Sequence, residues 1–204
     1  MSEPVAVADT LVEVVPGVWH WRVTDERIGG STSASHAVAV PEGTVLIDPL
    51  PLVDTALARL EPVVAICLTA QCHQRSAWRY RKRYGVPVHA PETRPMDEEP
   101  DTRYRAGDRL PGDLLVLHTP GPEEAHYSFL LEREPGVLFC SDLLMLAEGS
   151  LRFVPFEYHD DPAATRRSVE SLLELEIGVL CLAHGEPIAD DPKDAMRALL
   201  RQAD

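Results

Sequence analysis

The sequence has no long hydrophobic run. No stretch reaches the length of about 18 consecutive apolar residues that a membrane-spanning helix needs, so we predict no such helix and no membrane partner. The N-terminal segment MSEPVAVADT has neither the basic region nor the apolar region of a secretory signal peptide. We therefore expect a cytoplasmic protein.

An excess of basic residues is also missing. The chain has 19 Lys and Arg residues against 33 Asp and Glu residues, which gives a formal net charge of −14. Nucleic-acid binding needs a basic patch or stripe, so we predict no nucleic-acid partner. The one basic cluster, Arg75 with the basic residues of 79–83, is typical of a solvated helix face.

Cysteine is scarce, with four in 204 residues. Cys67, Cys140 and Cys181 lie in apolar, strand-like runs, which predicts buried free thiols in a reducing compartment and no disulfides. Cys72 alone lies in a polar, loop-like segment. The sequence also lacks a serine nucleophile elbow and a phosphate-binding glycine loop, so nothing in it favours the enzyme classes that depend on them.

What the sequence does contain is a succession of strand-rich and helix-rich segments. Helical patterns occur at 53–60, 76–85, 161–176 and 191–203, and Asp161, Pro162 and Asp191 are suited to helix starts. Residues 91–113 have little periodicity and predict a connecting segment. The order suits two sheets between helical layers, in a single domain spanning residues 1–204. Apolar or alternating runs predict strands at 17–23, 35–40, 43–50, 62–68, 86–90, 113–121, 126–132, 136–142 and 177–185.

Five polar-ended segments follow one another along the chain: TVLIDPLP with Asp48, ICLTAQCHQR after a strand, HTPGP at 118–122, LFCSDLL with Asp142, and LCLAHGEP with His184. In this order they resemble landmarks of the metallo-β-lactamase fold superfamily, which includes glyoxalase II-type thioesterases and other hydrolases. The resemblance runs from about residue 12 to residue 200. It implies an α/β (α+β) fold, the four-layer αββα sandwich of the metallo-β-lactamase type.

The same resemblance implies a site for two metal ions, but most of its ligands are replaced. Only Asp142 and His184 remain as metal-ligand candidates at family positions. A catalytic zinc ordinarily has three protein ligands and a water molecule, so we expect no metal cofactor and no ordinary dinuclear metallohydrolase. The family's H-x-H-x-D-H loop and the histidine after Thr-Pro-Gly become Ala70, Cys72, Gln74, Arg75 and Pro122.

Arg75 is the most informative of these replacements. A guanidinium keeps its proton and repels a metal cation. We predict that Arg75 pairs with Asp142, supplying the positive charge that the metals would have given, and we include Arg75 among the candidate catalytic residues. Gln74 is interpreted as a polar loop residue that faces solvent.

The remaining candidates each have two interpretations. Cys72 is either a thiolate metal ligand or an ordinary thiol at a strand end. His73 is one place out of register with the ligand positions, so its side chain is predicted to point away from the metal site. His118 and His126 either reach the site from a rearranged loop or have a supporting or structural role, and we favour the second interpretation for both. His184 is either a ligand or an imidazole hydrogen-bonded within an Ala-His-Gly turn that is kept for its backbone geometry.

Three functional hypotheses follow. The first is a non-catalytic protein of this fold with a degenerate metal site, whose function is binding, regulation or an interaction, with the former cleft as a pocket for a small-molecule ligand. The alternative is a hydrolase for a thioester or other small ester-like substrate, with one zinc, iron or manganese ion held by Asp142 and His184 with Cys72 or His73. The third is metal-free acid–base catalysis by His73, His118 or His184. Apolar edges that we expect to be exposed are compatible with a homodimer.

Overall fold

The computed structural model describes residues 3–92 and 95–202. Residues 1–2, 93–94 and 203–204, which belong to the predicted N-terminal, connecting and closing helical segments, lie outside the described residues. The chain divides into two compact units. The first unit runs up to Tyr104 and includes Leu110–Gly112, and the second comprises Arg105–Arg109 with the chain from Asp113 onward. None of the described helices is long and apolar enough to cross a membrane.

The first unit contains a seven-stranded sheet whose strands pair in chain order. The pairings from β1 to β4 are antiparallel and those from β4 to β7 are parallel. The strands are β1 (Val12–Val15), β2 (Val18–Thr24), β3 (Thr32–Val40), β4 (Gly43–Ile47), β5 (Val63–Cys67), β6 (Val88–Pro91) and β7 (Thr102–Tyr104).

Two helices accompany this sheet, α1 (Asp54–Leu57) and α2 (Ala77–Tyr84). Helix α2 ends at Gly85, whose φ of 65° is the left-handed conformation that glycine adopts without strain. Tyr80 anchors α2, because its hydroxyl donates to the Leu50 carbonyl at 3.1 Å and accepts from the Leu52 amide at 3.0 Å. The chain that follows β4 is therefore fixed to the helix that follows β5.

The basic residues of α2 lie on the surface and pair with acids, as predicted for a solvated face. Arg79 pairs with Glu3 at 2.7 Å, and Arg81 pairs with Asp101 at 2.8 Å. The inclusion of Arg75 in that face was wrong, because Arg75 precedes the helix and is buried. Arg75 was grouped with that face because it lies close in sequence to the other basic residues, whereas the loop before α2 turns its side chain inward.

The second unit contains a five-stranded sheet in the order β14-β11-β10-β9-β8, and a separate hairpin of β12 and β13. Its β11–β14 pairing is parallel, and β10 pairs with β9 and β11 in antiparallel fashion. The strands are β8 (Arg109–Leu110), β9 (Leu114–His118), β10 (Tyr127–Leu131), β11 (Val137–Phe139), β12 (Leu144–Ala147), β13 (Ser150–Phe153) and β14 (Val179–Cys181).

Two helices belong to the second unit, α3 (Pro162–Leu172) and α4 (Pro192–Gln202). The predicted start of α3 is confirmed, since the Asp161 side chain accepts from the Ala164 amide and Pro162 is the first helical residue. Val169 and Leu180 are among the fully buried residues of this unit's core. The prediction of buried free thiols is also confirmed for Cys67, Cys140 and Cys181.

Two local predictions differ from the structure. The segment 91–113, predicted as a connection, contains the short strands β7 and β8. The hairpin of β12 and β13 was not predicted, although Glu148 and Gly149 have the positive φ values, 52° and 74°, that favour a two-residue hairpin turn. Strands of two to four residues are too short for their alternation to stand out from chance.

Candidate functional site

The parallel strands β4 and β5 place two polar segments of the first unit side by side. Ile47 pairs with Cys67, and the Asp48 amide donates to the Cys67 carbonyl at 3.0 Å. The chain leaving β4 at Asp48 therefore lies against the loop 68–76 that leaves β5. Asp48 and Arg75 both have positive φ, 47° and 37°, which non-glycine residues adopt rarely and mostly where the surroundings enforce it.

Asp48 is the centre of a buried hydrogen-bonded cluster. Its Oδ1 accepts from the Thr69 amide at 2.8 Å, and its Oδ2 accepts from the Thr69 hydroxyl at 2.5 Å. The same Oδ2 lies 2.9 Å from His73 Nδ1. A carboxylate is an acceptor only, so His73 donates a proton from Nδ1 to Asp48. His73 is 2% exposed, so its ring is held in one orientation.

Cys72 lies next to this pair. Its Sγ lies within 4.8 Å of a ring nitrogen of His73, and its side chain is partly accessible, whereas the other three cysteines are buried. Burial raises the pKa of the Cys67 and Cys140 thiols, and the carboxylates of Asp48 and Asp142 respectively add to the effect. Among the cysteines, Cys72 alone is placed for chemistry.

Arg75 is directed inward and bonds to backbone oxygens. Its Nη1 donates to the Ala34 carbonyl at 2.8 Å and approaches the Asp48 carbonyl at 3.5 Å. Arg75 is 5% exposed, and its Nε is buried with no hydrogen-bond partner among the described residues. Within the described part of the first unit, no carboxylate forms an ion pair with it. The Asp48 carboxylate is committed to Thr69 and His73.

Two neutral histidines lie in the same unit as this cation. His20 Nδ1 and His36 Nε2 are 3.3 Å apart, and both rings are buried. Burial holds the pKa of His36 well below its usual range, and the proximity of His20 and the positive charge of Arg75 lower it further. Burial, with a smaller contribution from Arg22, lowers the pKa of His20 to about 4. The pair therefore adds no second positive charge at neutral pH.

The expectation that Gln74 faces solvent was wrong. Gln74 is buried, and its Oε1 accepts from Trp78 Nε1 at 3.1 Å and from the Asp97 amide at 2.8 Å. Its Nε2 donates to the Gln71 carbonyl at 3.1 Å. Gln74 thus ties the loop to α2 and to the segment at Asp97. A glutamine amide can be buried in such a place because both its donor and its acceptor find partners. Its position in a loop did not indicate that the side chain would be buried.

In the second unit, the parallel strands β11 and β14 lead into the two residues that the sequence resemblance marked as metal-ligand candidates. Asp142 lies in a short 3-10 helix after β11, and His184 follows β14. His184 Nε2 is 3.3 Å from Asp142 Oδ1. A Cβ at Gly185 would lie 2.7 Å from Leu146 Cβ, and its φ is 111°, so the Ala-His-Gly turn depends on glycine. Both roles considered for His184, ligand and turn residue, agree with this geometry.

His126 is hydrogen-bonded to the backbone of Asp142. The Asp142 amide donates to His126 Nε2 at 3.2 Å, so the proton of this imidazole is on Nδ1, which donates to the Thr119 carbonyl at 2.7 Å. His118 instead lies on the surface, where its Nε2 is 2.7 Å from the Glu124 carbonyl oxygen and its ring packs on Tyr127. Both arrangements are those of supporting side chains.

The sequence reasoning missed His159. It is buried, and its Nδ1 lies 2.7 Å from the Thr165 hydroxyl. Burial lowers its pKa, and the charge of Asp142 opposes that shift. His159 lies two residues before the N-cap of α3, in a segment without periodicity. Its position next to a helix start is the only sequence signal that could have indicated a buried side chain. The predicted pairing of Arg75 with Asp142 involves residues of different units and stays a prediction.

The residues at the replaced positions do not fit a dinuclear metal centre. Ala70 and Pro122 have no ligand atoms in their side chains, and the Gln74 amide is committed to Trp78, Asp97 and Gln71. Arg75 adds a fixed positive charge.

Comparison with known proteins gives neither a matching family model nor a matching curated protein. Solved structures do match. DIM-1 metallo-beta-lactamase superposes with a TM-score of 0.75 at 12% identity, covering 98% of this chain and 99% of its own. A metallo-beta-lactamase from Pontibacter korlensis gives 0.73 at 17% identity, covering 94% and 98%. FIM-1 from Pseudomonas aeruginosa, in its mono-zinc form, gives 0.70 at 15% identity, covering 97% and 96%.

Proposed function

For this chain, which has the metallo-β-lactamase fold that its sequence predicted, we propose a small-molecule-binding function in which protein groups replace the dinuclear metal site. The observation that carries the proposal is the buried Arg75 guanidinium. A buried charge is costly unless it is paired, and no carboxylate of the described first unit pairs with it. An anionic group of the ligand is the natural counter-charge.

The orientation of Arg75 indicates how such a group would bind. Nη1 donates to the Ala34 carbonyl, while Nε is buried without a hydrogen-bond partner among the described residues. A carboxylate can reach Nε only if the side chains that cover it move, and a guanidinium edge then matches the two oxygens of a carboxylate. The overall charge of −14 opposes long-range attraction of an anion, so recognition depends on this local contact.

Ligand binding can be measured by calorimetry and thermal shift with acetate, succinate and benzoate as probes. We expect at least one of them to bind and raise Tm, and Arg75→Met to abolish the effect. The matched control is Arg79→Met, which removes an exposed arginine of α2 that pairs with Glu3. Binding that persists in Arg75→Met, or no binding by any of the three carboxylates, would overturn the proposal.

A single-metal hydrolase acting on a thioester or another small ester-like substrate is the second candidate. A metal-binding histidine usually donates its other ring N–H to a carboxylate, and His73 has that contact with Asp48. Cys72 offers a soft thiolate beside it, and Asp142 with His184 forms the retained pair of the second unit.

Cobalt substitution tests this candidate without an activity assay. Cobalt(II) bound by a thiolate gives an intense near-ultraviolet charge-transfer band. If one metal ion is held by Cys72, cobalt loading should produce this band in the wild type and not in Cys72→Ser. A spectrum without the band after loading would remove Cys72 as a metal ligand. Retention of one zinc, iron or manganese ion per chain that is lost in His184→Ala would favour the hydrolase over the binding protein.

A further inference from the structure

We propose that the second unit binds an organic cation through a guanidinium or primary ammonium group, at a site formed by His159, Phe156 and Tyr158. These residues belong to the second unit, whereas Arg75 belongs to the first, and the ligand has the opposite charge. The inference therefore does not depend on the proposed function. Its basis is a buried imidazole nitrogen without a hydrogen-bond partner among the described residues, in contact with an aromatic ring and within an exposed acidic segment.

Hydrogen bonds define the tautomer of His159. The Thr165 hydroxyl donates its one proton to the Asp161 carbonyl at 3.3 Å, so it accepts from His159 Nδ1 at 2.7 Å. Burial lowers the pKa of His159, which keeps the ring neutral at pH 7. Nε2 therefore presents a lone pair. His159 is 8% exposed, and its Nε2 is a buried acceptor that needs a donor.

Aromatic rings lie next to this acceptor. The Phe156 ring meets the imidazole edge-on, with 5.5 Å between the ring centroids, and it packs on Phe153 at 5.2 Å. Phe156 is 44% exposed and Tyr158 is 69% exposed, so two large rings face solvent within three residues. A ligand reaches Nε2 only if covering side chains move, and an exposed phenylalanine can change rotamer without disturbing the core. A cation close to a ring face is then stabilised by the quadrupole of the ring.

The charges around His159 favour a cation. Glu157 and Asp160 are exposed, and neither forms an ion pair among the described residues. The Asp142 carboxylate adds a negative charge whose effect reaches the imidazole. Arg152 and Arg167, which lie on either side in the sequence, are already paired with other acids. An anion is therefore disfavoured at this site, and the net charge of −14 attracts cations from a distance.

These features together specify the chemistry of the ligand. The lone pair of His159 Nε2 requires an N–H or O–H donor, and the acidic segment with its exposed rings favours a positive charge. A guanidinium or primary ammonium group meets both conditions. A carboxylate and a neutral alcohol lack the charge, and a quaternary ammonium ion lacks the donor. The same cationic group can come from a small molecule or from an arginine side chain of a peptide.

The test is a titration of ¹⁵N-labelled protein with methylguanidinium at neutral pH, followed by the two-bond ¹H–¹⁵N correlations of the His159 ring. We expect saturable binding that shifts the Nε2 signal. It should be about tenfold tighter than the binding of tetramethylammonium, which has the charge but no N–H donor. His159→Phe keeps a ring and removes the acceptor, so it should weaken methylguanidinium binding about tenfold and abolish the difference between the two cations.

Surface variants test the charges and the rings without altering the core. Glu157→Gln combined with Asp160→Asn should weaken methylguanidinium binding several-fold, and Tyr158→Leu should weaken it as well. The matched control is Glu42→Gln combined with Asp9→Asn, which removes two exposed acids of the first unit and should bind as the wild type does. The peptide acetyl-Gly-Arg-Gly-amide distinguishes the two sources: tighter binding than methylguanidinium indicates a protein partner, and equal or weaker binding indicates a small molecule.

Equal methylguanidinium binding in the wild type and His159→Phe would overturn the site, as would equal affinity for the two cations or an absence of saturable binding. If His159→Phe does not fold, the surface variants decide, and unchanged binding in both of them overturns the site. These outcomes are separable from those of the proposed binding function, because Arg75→Met should bind methylguanidinium as the wild type does. Failure of the carboxylate probes leaves the cation site standing, and failure of methylguanidinium overturns the cation site alone.

Discussion

Replacement of Arg75 by methionine tests whether its charge is uncompensated. Methionine has a similar length and removes both the guanidinium and the bond from Nη1 to the Ala34 carbonyl. Loss of that bond leaves a buried acceptor unsatisfied, which costs about 1–3 kcal/mol. Removal of a buried charge that lacks a counter-charge also removes the desolvation cost of that charge. This cost is on the order of several kcal/mol, so it equals or exceeds the loss from the unsatisfied acceptor. We therefore expect Arg75→Met to change the free energy of unfolding by less than about 1 kcal/mol, or to raise it.

The measurement is urea unfolding of the ligand-free protein at pH 7.5, followed by far-ultraviolet circular dichroism. A buried ion pair that loses one partner typically costs about 3–5 kcal/mol, well outside the expected range. A destabilisation of that size would show that Arg75 already has a counter-charge in the protein, such as the predicted Asp142. Saturation with a bound carboxylate should reverse the order, making the wild type more stable than Arg75→Met.

Three further predictions concern groups near the site. His20→Gln should reduce the loss of unfolding free energy in acid, as measured by urea titrations between pH 7 and pH 4. Because the pKa of His20 is lowered to about 4 in the folded protein, the stability that depends on neutral His20 is complete above about pH 6.5 and is lost toward pH 4, on the order of 3 kcal/mol in all. Gln74→Ala should cost about 1–3 kcal/mol in urea unfolding and speed hydrogen exchange at the Asp97 amide, whereas unchanged exchange would contradict the tie to that segment. Gly185→Ala should lower Tm by several degrees, because its Cβ would lie 2.7 Å from Leu146 Cβ; an unchanged Tm would show that the turn adjusts.

Much of the fold was predictable because its signals are local or ordered along the chain. Asp161 and Pro162 predicted the start of α3, since capping involves only the next few residues. The order of the family landmarks predicted the fold that the comparison with DIM-1 shows. Strands such as β3 have enough residues for their apolar pattern to appear in the sequence.

The arrangement within the candidate site was less predictable because its contacts are long-range. Asp48 and His73 are 25 positions apart, and only the register of β4 against β5 brings them together. Gln74 is buried where its side chain accepts a hydrogen bond from the amide of Asp97, and no local sequence pattern predicts that contact. Replacement of the family ligands could be recognised from sequence, whereas the hydrogen bonds that took their place required the structure.

Metal analysis tests the central claim most directly. The protein would be incubated with excess zinc, desalted, and measured by inductively coupled plasma mass spectrometry, with Arg75→His as a comparison that restores one family ligand. We expect the wild type to retain well under one zinc ion per chain. Retention of one or two zinc ions per chain would contradict it.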